Sequence, residues 1–506
     1  MTLPSPQSRT MKEAVIHLTA RVSRASYAVR VLILFACLGM VLYRHTGAYA
    51  GSSDTSGYMN DARLLADGEL HPHQRAIGGI PPASLPFMGY IPLGFLPLAG
   101  DRMYPTYPMG MPLCILLGSI FLGWGAGPSV VIWLHAMACL AATLLFFRQL
   151  KVGRELSLLG AMILGTSPLF LFMSLQTMSD TPATLWATLT VLACLRSSGK
   201  PIYAALAGVV FSYALLVRPT ALLMAFPVVL LLPPTRRHYL LFIGGAAPVL
   251  AGIAALNRMV YGSALATGYG NVYDLFGVRF LHETLLNYVS SLPKELTPLV
   301  ALIIIFPFVR GGIASRQKVG LWLWILALFG FYSVYFCTHE TWWYLRFVLP
   351  AFPPLIAIAM LVLSPAARKW PHFAMAGWIL LAAGILAWNA NWTSKLAATA
   401  IGDFEQVYPE TCDYLRLRTP PASVVMCMQA SGAVFYYTND VIVRSDSIGN
   451  NDFMRIAGAC EKSNRSIYMV LFPFERDAAL ARFSRGRWQL AAMVRDVGIY
   501  RLAGLK

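Results

Sequence analysis

Two carboxylates stand beside what reads as one membrane face. Asp54 opens the stretch Asp54-Thr-Ser-Gly-Tyr-Met-Asn-Asp-Ala-Arg63 directly after the first apolar run, and Asp180 lies in Met178-Ser-Asp-Thr-Pro182 at the outer end of a later one. Acids near hydrocarbon are costly to keep and tend to be functional. Moving a group from a phosphate to a hydroxyl needs a base at the hydroxyl and cations at the departing phosphate. Asp54 fits the base, and desolvation at the membrane edge is expected to raise its pKa. A helix starting near Gly57 would carry Tyr58, Asp61 and Leu65 on one face. The bland alternatives are local. Asp54 could cap that helix, Ser179-Asp-Thr-Pro182 also reads as a helix cap followed by proline, and Asp61 could sit on a solvated face.

Cations are scarce on the same side. The candidates are Arg63, Arg218 in Val217-Arg-Pro-Thr220, Arg258, Arg279, and Arg346 in Thr341-Trp-Trp-Tyr-Leu-Arg346, with Lys294 nearby in sequence. A forked guanidinium suits phosphate oxygens, while the competing use is snorkelling to lipid headgroups. His339, Trp342, Trp343 and Tyr344 read as an interfacial aromatic belt or as part of a ligand cage. Tyr107, in Tyr104-Pro-Thr-Tyr-Pro-Met-Gly-Met-Pro112, completes the candidate set. No Cys/His cluster has zinc spacing, so no metal ligands are assigned, no cofactor is expected, and a need for a divalent ion stays open. Cys412, Cys427 and Cys460 would permit one disulfide in an oxidising compartment, and all three pairings remain possible.

The elements that must position these groups are apolar. Hydrophobic residues make up 57% of the 506 positions and charged ones 12%, and the mean hydropathy is +0.58, values that exclude a soluble globule and imply an all-α polytopic membrane protein. The net charge of +17 resides mostly in short loops between apolar runs, which argues against nucleic acid as a partner. After the run at 31–43, others follow near 129–147, 156–173, 181–195, 202–217, 219–232, 240–256, 296–309, 321–336, 347–363 and 373–389. Five basic loops separate them: Arg148/Lys151/Arg154, Arg196/Lys200, Arg236/Arg237, Arg310/Arg316/Lys318 and Arg368/Lys369. Basic loops stay inside. All five do so only if Tyr107 to Gly123 is a non-crossing interfacial helix, giving about eleven transmembrane helices and an outer C-terminus.

The expected domains are a cytoplasmic tail at 1–30, a membrane domain at 31–389 with a first outer loop at 44–128, and a soluble α/β domain at 390–506. Arg9, Lys12, Arg21, Arg24 and Arg30, then an apolar run and Ala48-Tyr-Ala50, imitate a cleavable signal peptide, but the long leader and Arg44-His45 favour an uncleaved helix. In the tail, helices are expected at 410–418, 452–461 and 476–483, and strands at 423–428, 468–472 and 488–494.

The ordered set Asp54-x-x-x-Tyr58 with Ala62-Arg63 and Gly68, Tyr107-Pro-x-Gly110, Ser179-Asp-Thr-Pro182, Arg218-Pro219 and Arg346-x-x-x-Pro350 resembles the GT-C superfamily of polyprenyl-phosphate-sugar glycosyltransferases. It is most similar to the branch holding the bacterial lipid A aminoarabinose transferase and relatives of protein O-mannosyltransferases, over about residues 30–365. The resemblance implies inverting transfer of a sugar from a polyprenyl phosphate to a lipid, glycan or protein acceptor at the outer face of a bacterial inner membrane. In that reading Asp54 is the base, Asp180 lines the same cleft, and the C-terminal domain is periplasmic. Two departures from the pattern stand out: Thr55 replaces a second acid often found after the first, and the basic residue that precedes a Pro-Pro entry in the aminoarabinose branch has no match near Thr106. The rival readings are a transporter or flippase, which would place acids within its spans, and a non-catalytic subunit of envelope polysaccharide assembly.

Overall fold

A computed structural model describes residues 6–270, 272–309, 311–369 and 371–506, with the side chains of 6–24, 368 and 371–376 left aside. Arg310, and the side chains of Arg9, Lys12, Arg21, Arg24 and Arg368, lie outside the described set. The membrane part contains α1 (Pro6–His45), α2 (Ser53–Asp67), α3 (Gly110–Gln149), α4 (Arg154–Thr166), α5 (Pro168–Ser174), α6 (Asp180–Ser197), α7 (Ile202–Val217), α8 (Ala225–Leu231), α9 (Arg236–Tyr261), α10 (Leu281–Leu296), α11 (Ser315–Tyr332), α12 (Phe352–Lys369) and α13 (Pro371–Lys395). Helix α1 runs from Pro6 rather than from 31, so the described part of the expected tail is helical.

Among the described residues, four helical stretches are long and apolar enough to cross a membrane: Ala25–His45, Gly110–Gln149, Arg236–Tyr261 and Trp342–Ala367. The pair α4 and α5, bent by 61°, adds a fifth if it counts as one. Of the other expected spans, α7 is shorter and two are interrupted, while α13 runs unbroken for 25 residues. The run near 219–232 is a 3-10 turn at Pro219–Met224 followed by α8, and the run near 296–309 is two 3-10 pieces beginning at Pro298 and Phe306. Prolines 219, 227, 298 and 307 explain this, because each removes a helical N–H and crowds the preceding turn. The stretch Trp342–Ala367 is the buried centre of the bundle, whereas α9 turns Leu240, Ile243 and Leu250 outward, as a lipid-facing helix does.

Helix α3 is not one rod. At Gly123 the backbone leaves the helix (φ 74°, ψ 163°), and the two arms fold together so tightly that a Cβ on Gly118 would lie 3.0 Å from the Gly127 carbonyl oxygen. In a straight helix nine residues span about 13.5 Å, so the chain reverses here. Residues 110–122 thus form a separate arm ahead of the arm at 127–149. At the opposite end from Asp54, several basic loops meet. Gln149–Lys151 lies beside 312–317 and Lys151 also beside 364–365; Arg316 donates to the Val229 carbonyl, His238 contacts the Ser197 carbonyl, and Arg30 pairs with Glu155.

The C-terminal part holds α14 (Ile401–Glu405), α15 (Val407–Arg418), α16 (Ser431–Tyr437), α17 (Asn450–Lys462) and α18 (Pro473–Arg482). Besides a small hairpin of β1 (Phe95–Pro97) and β2 (Met103–Pro105) in the outer loop, the strands are β3 (Val424–Cys427), β4 (Val441–Arg444), β5 (Ile467–Leu471), β6 (Gly486–Val494) and β7 (Val497–Leu505), in the order β4-β3-β5-β7-β6. Strand β3 is parallel to β4 and β5, and β7 is antiparallel to β5 and β6. Val424 and Met426 face α17, while Val425 and Cys427 face α15 and α16, so the strand is apolar throughout. Ile77, Ile80, Leu85 and Tyr90 of the outer loop complete the α17 side of this core. The loop and the tail are therefore one packed body, which the expected division at 390 did not anticipate. Cys412, Cys427 and Cys460 are buried thiols, the first two on one side of the sheet and the third on the other.

Candidate active site

Helix α2 starts at Ser53, four residues before the expected Gly57, and this places Asp54 in its first turn. Asp180 likewise lies in the first turn of α6. Neither acid is the cap residue; those are Ser52 and Ser179, and neither uses its own side chain to cap. Both carboxylates still gain from the positive end of a helix dipole. The two helix starts are tied together by Tyr58, whose hydroxyl donates to Ser179 Oγ at 2.8 Å.

Around that tie the charged groups alternate. Asp54 Oδ1 accepts from the Tyr107 hydroxyl at 2.6 Å, and Oδ2 accepts from Arg346 Nη1 at 2.7 Å. Asp180 Oδ1 pairs with Arg218 Nη1. Both guanidinium groups lie over the Phe347 ring, at 5.2 Å for Arg218 and 5.0 Å for Arg346, so the two ion pairs share one aromatic floor. Side-chain exposure grades across the cluster: 2% for Asp180, 13% for Arg218, 17% for Arg346 and 25% for Asp54. Asp54 is the acid a second molecule can reach. Tyr107 reaches it by packing against α2 at Gly57, where any Cβ would come within 2.3 Å of the ring, with its ring 4.9 Å from that of Tyr58 and tilted 41° to it.

The charge state of Asp54 corrects the sequence-based expectation. Burial pushes its pKa up, as anticipated, but the Arg346 guanidinium, the Tyr107 hydrogen bond and the Arg218 charge together hold it below the usual aspartate value. The spacing in sequence gave no sign of these partners. Tyr107 keeps its proton, since burial and the neighbouring Asp54 charge both raise its pKa.

Several expected site residues lie elsewhere. Asp61 is fully buried rather than solvated, and neither carboxylate oxygen has a hydrogen-bond partner; burial raises its pKa well above normal. Arg63 turns away from Asp54 and stacks 3.5 Å from the Tyr436 ring of α16, donating to that residue's carbonyl. Arg258 is exposed near the end of α9, and Arg279 is exposed over Phe280 at 4.7 Å. His339 stacks on Phe280 and contacts Glu283 at 3.3 Å. Tyr344 borders the cluster through Phe347, parallel to it at 6.0 Å. Sequence reasoning missed Ser53, whose hydroxyl meets the Tyr107 hydroxyl at 3.0 Å, and Tyr269, which stands edge-on to Tyr107 at 6.4 Å. It also missed Glu405 of α14, which accepts from the Thr55 hydroxyl at 2.9 Å. Only the hydroxyl at position 55 hinted at such a contact. Among the described residues, no group of three or more His, Cys, Asp or Glu side chains is arranged to hold a metal ion.

No family model and no curated protein matches the sequence. Solved structures do match. ArnT from Cupriavidus metallidurans bound to undecaprenyl phosphate superposes with a TM-score of 0.56 at 12% identity, covering 94% of this chain and 99% of that one. The chain has the GT-C fold. The Archaeoglobus fulgidus oligosaccharyltransferase tethered to an acceptor peptide gives a TM-score of 0.54 at 12% identity, over 94% of this chain and 74% of that one.

Proposed function

We propose that this chain is an inverting glycosyltransferase of a bacterial inner membrane, transferring a sugar from a polyprenyl phosphate to a lipid, glycan or protein acceptor on the outer face. In this reading about eleven helices cross the membrane, the 110–122 arm lies at the outer interface, and the C-terminal domain is periplasmic. The observation that carries it is the paired cluster: a reachable carboxylate and two guanidinium groups within one site of a GT-C fold. The ArnT neighbour binds undecaprenyl phosphate, which supports a donor of that class.

The chemistry follows from the pairing. Asp54 takes the proton of the acceptor hydroxyl as that oxygen bonds to the sugar's anomeric carbon. The bond from that carbon to the phosphate oxygen breaks, its electron pair stays on the phosphate, and polyprenyl phosphate leaves. Arg346 and Arg218 are placed to receive that charge. A phosphate competing for Arg346 also loosens its hold on Asp54, so donor binding raises the basicity of the carboxylate at the step that needs it. Asp180 holds Arg218 in place, and Tyr107 orients Asp54 through Oδ1.

The test compares wild type with Asp54→Asn in lipid nanodiscs supplied with polyprenyl-phosphate sugars extracted from cell envelopes. Asparagine keeps the shape and loses the base. Donor consumption, followed by mass spectrometry, is expected to fall by a factor of about 100 or more while undecaprenyl phosphate still binds. Equal consumption would remove Asp54 as the base.

A further inference from the structure

We propose that Glu405, supplied by the C-terminal domain, is a positioning residue that clamps the first turn of α2 and so aims Asp54. The proposal rests on the reading of Asp54 as the base. The start of α2 has no cap of its own, because the Ser52 side chain makes no capping bond. An uncapped helix start leaves backbone N–H groups without partners and frays. Here Glu405 Oε2 accepts from the Ser52 backbone N–H at 3.1 Å and from Thr55 Oγ1 at 2.9 Å. Thr55 Oγ1 in turn accepts from the Gly51 N–H at 3.1 Å. One carboxylate oxygen from a distant segment therefore organises residues 51–55, the turn that contains Asp54.

The surroundings are built for this approach. A Cβ on Gly51 would lie 1.8 Å from Glu405 Oε2, so any larger residue there would displace the carboxylate. Helix α14 is itself fixed, since the backbones of Gly47 and Gly402 touch, with a Cβ on Gly47 falling 2.5 Å from the Gly402 Cα. The Gly47 N–H meanwhile donates to the Leu175 carbonyl. Glu405 is only 6% exposed, and Thr55 is fully buried. The charged group that acts on it is Asp54 of α2, besides the Ser52 and Thr55 donors, and Glu405 in turn raises the pKa of the Tyr408 hydroxyl of α15. Burial pushes the Glu405 carboxyl up to about 7, with Ser52 and Thr55 holding it down and Asp54 pushing it further up.

This placement makes the C-terminal domain part of the catalytic geometry. A slip of the α2 start would carry Asp54 off Tyr107 and Arg346, whose contacts are 2.6 and 2.7 Å. Thr55 is then the hydroxyl that donates to an acid from elsewhere in the chain.

Amide hydrogen exchange on the full chain in nanodiscs tests the clamp without any substrate. Glu405→Ala is expected to speed exchange of the amides at 52–56 about tenfold, the usual consequence of losing a helix cap. Glu405→Gln, which keeps an acceptor oxygen, is expected to stay within about threefold of wild type. Turnover of extracted polyprenyl-phosphate sugars should fall about tenfold in Glu405→Ala, recover in Glu405→Gln, and leave undecaprenyl phosphate affinity unchanged. If Glu405→Ala fails to fold, Thr55→Val removes the other half of the contact and should show the same pattern. Wild-type exchange at 52–56 in the folded variant overturns the proposal whatever Asp54 does. Full activity of Asp54→Asn would instead overturn the reading on which it rests, leaving the exchange result to describe a structural cap only.

Discussion

Removing Arg218 while leaving Asp180 in place should be worse than removing both charges. The Asp180 side chain is 2% exposed and Arg218 is 13% exposed, and the two are bonded directly. Breaking a buried pair from one side costs about 3–5 kcal/mol, because the remaining ion is stranded away from water. Arg346 also acts electrostatically on Asp180, so the lower end of that range applies. Arg218→Met should therefore destabilise the protein by about 3 kcal/mol. Arg218→Met with Asp180→Asn strands no charge and should cost about 1 kcal/mol, the scale of one hydrogen bond. The two substitutions would then be coupled by about 2 kcal/mol or more, well beyond the ~0.5 kcal/mol within which independent sites add. The assay is a double-mutant cycle on unfolding free energies in mixed micelles at fixed composition, with Asp180→Asn as the second single variant. Additive effects would refute the picture of a closed ion pair between the start of α6 and the end of α7, and with it the role of Asp180 in holding Arg218 for a phosphate.

Two further expectations concern titration. Tyr107→Phe removes a donor that favours the charged form of Asp54, so the acid limb of the turnover profile should move to higher pH while the maximum rate drops by about tenfold or more; an unmoved limb, or one shifted to lower pH, would contradict the geometry. Asp61 is favoured in its protonated form inside the fold, so its contribution to stability is full below about pH 4 and is lost as pH rises toward its folded pKa. Asp61→Asn should flatten that part of the stability curve and stabilise the protein at neutral pH, as measured by thermal unfolding at pH 5 and pH 8.

How far the site was legible depended on how local each signal was. Asp54, Tyr58, Tyr107, Asp180, Arg218 and Arg346 each sit in a short motif at an element boundary, and the structure brings those six together. Arg63 shares a motif with them, but it lies two turns further along α2, on the face that meets Tyr436. Asp61 read either as a site residue or as part of a solvated face, because helical spacing gives a face and not its depth. In the tail, the expected helices and three strands appear with small shifts of boundary, whereas α14, α16, β4 and β7 went unread. Strand β4 has four residues and α16 seven, and segments that short carry too few periods to separate helix from strand.

Sequence alone determined that this chain belongs in a membrane, and that its acids gather where apolar runs end. Both follow from transfer free energies that act residue by residue, so composition and order suffice. Which acid meets which guanidinium, why Asp54 stays ionised despite burial, and how Glu405 reaches across 350 residues to Thr55 were decided only by tertiary structure. Electrostatic and hydrogen-bond energies depend on distance in space, and separation along the chain does not encode it.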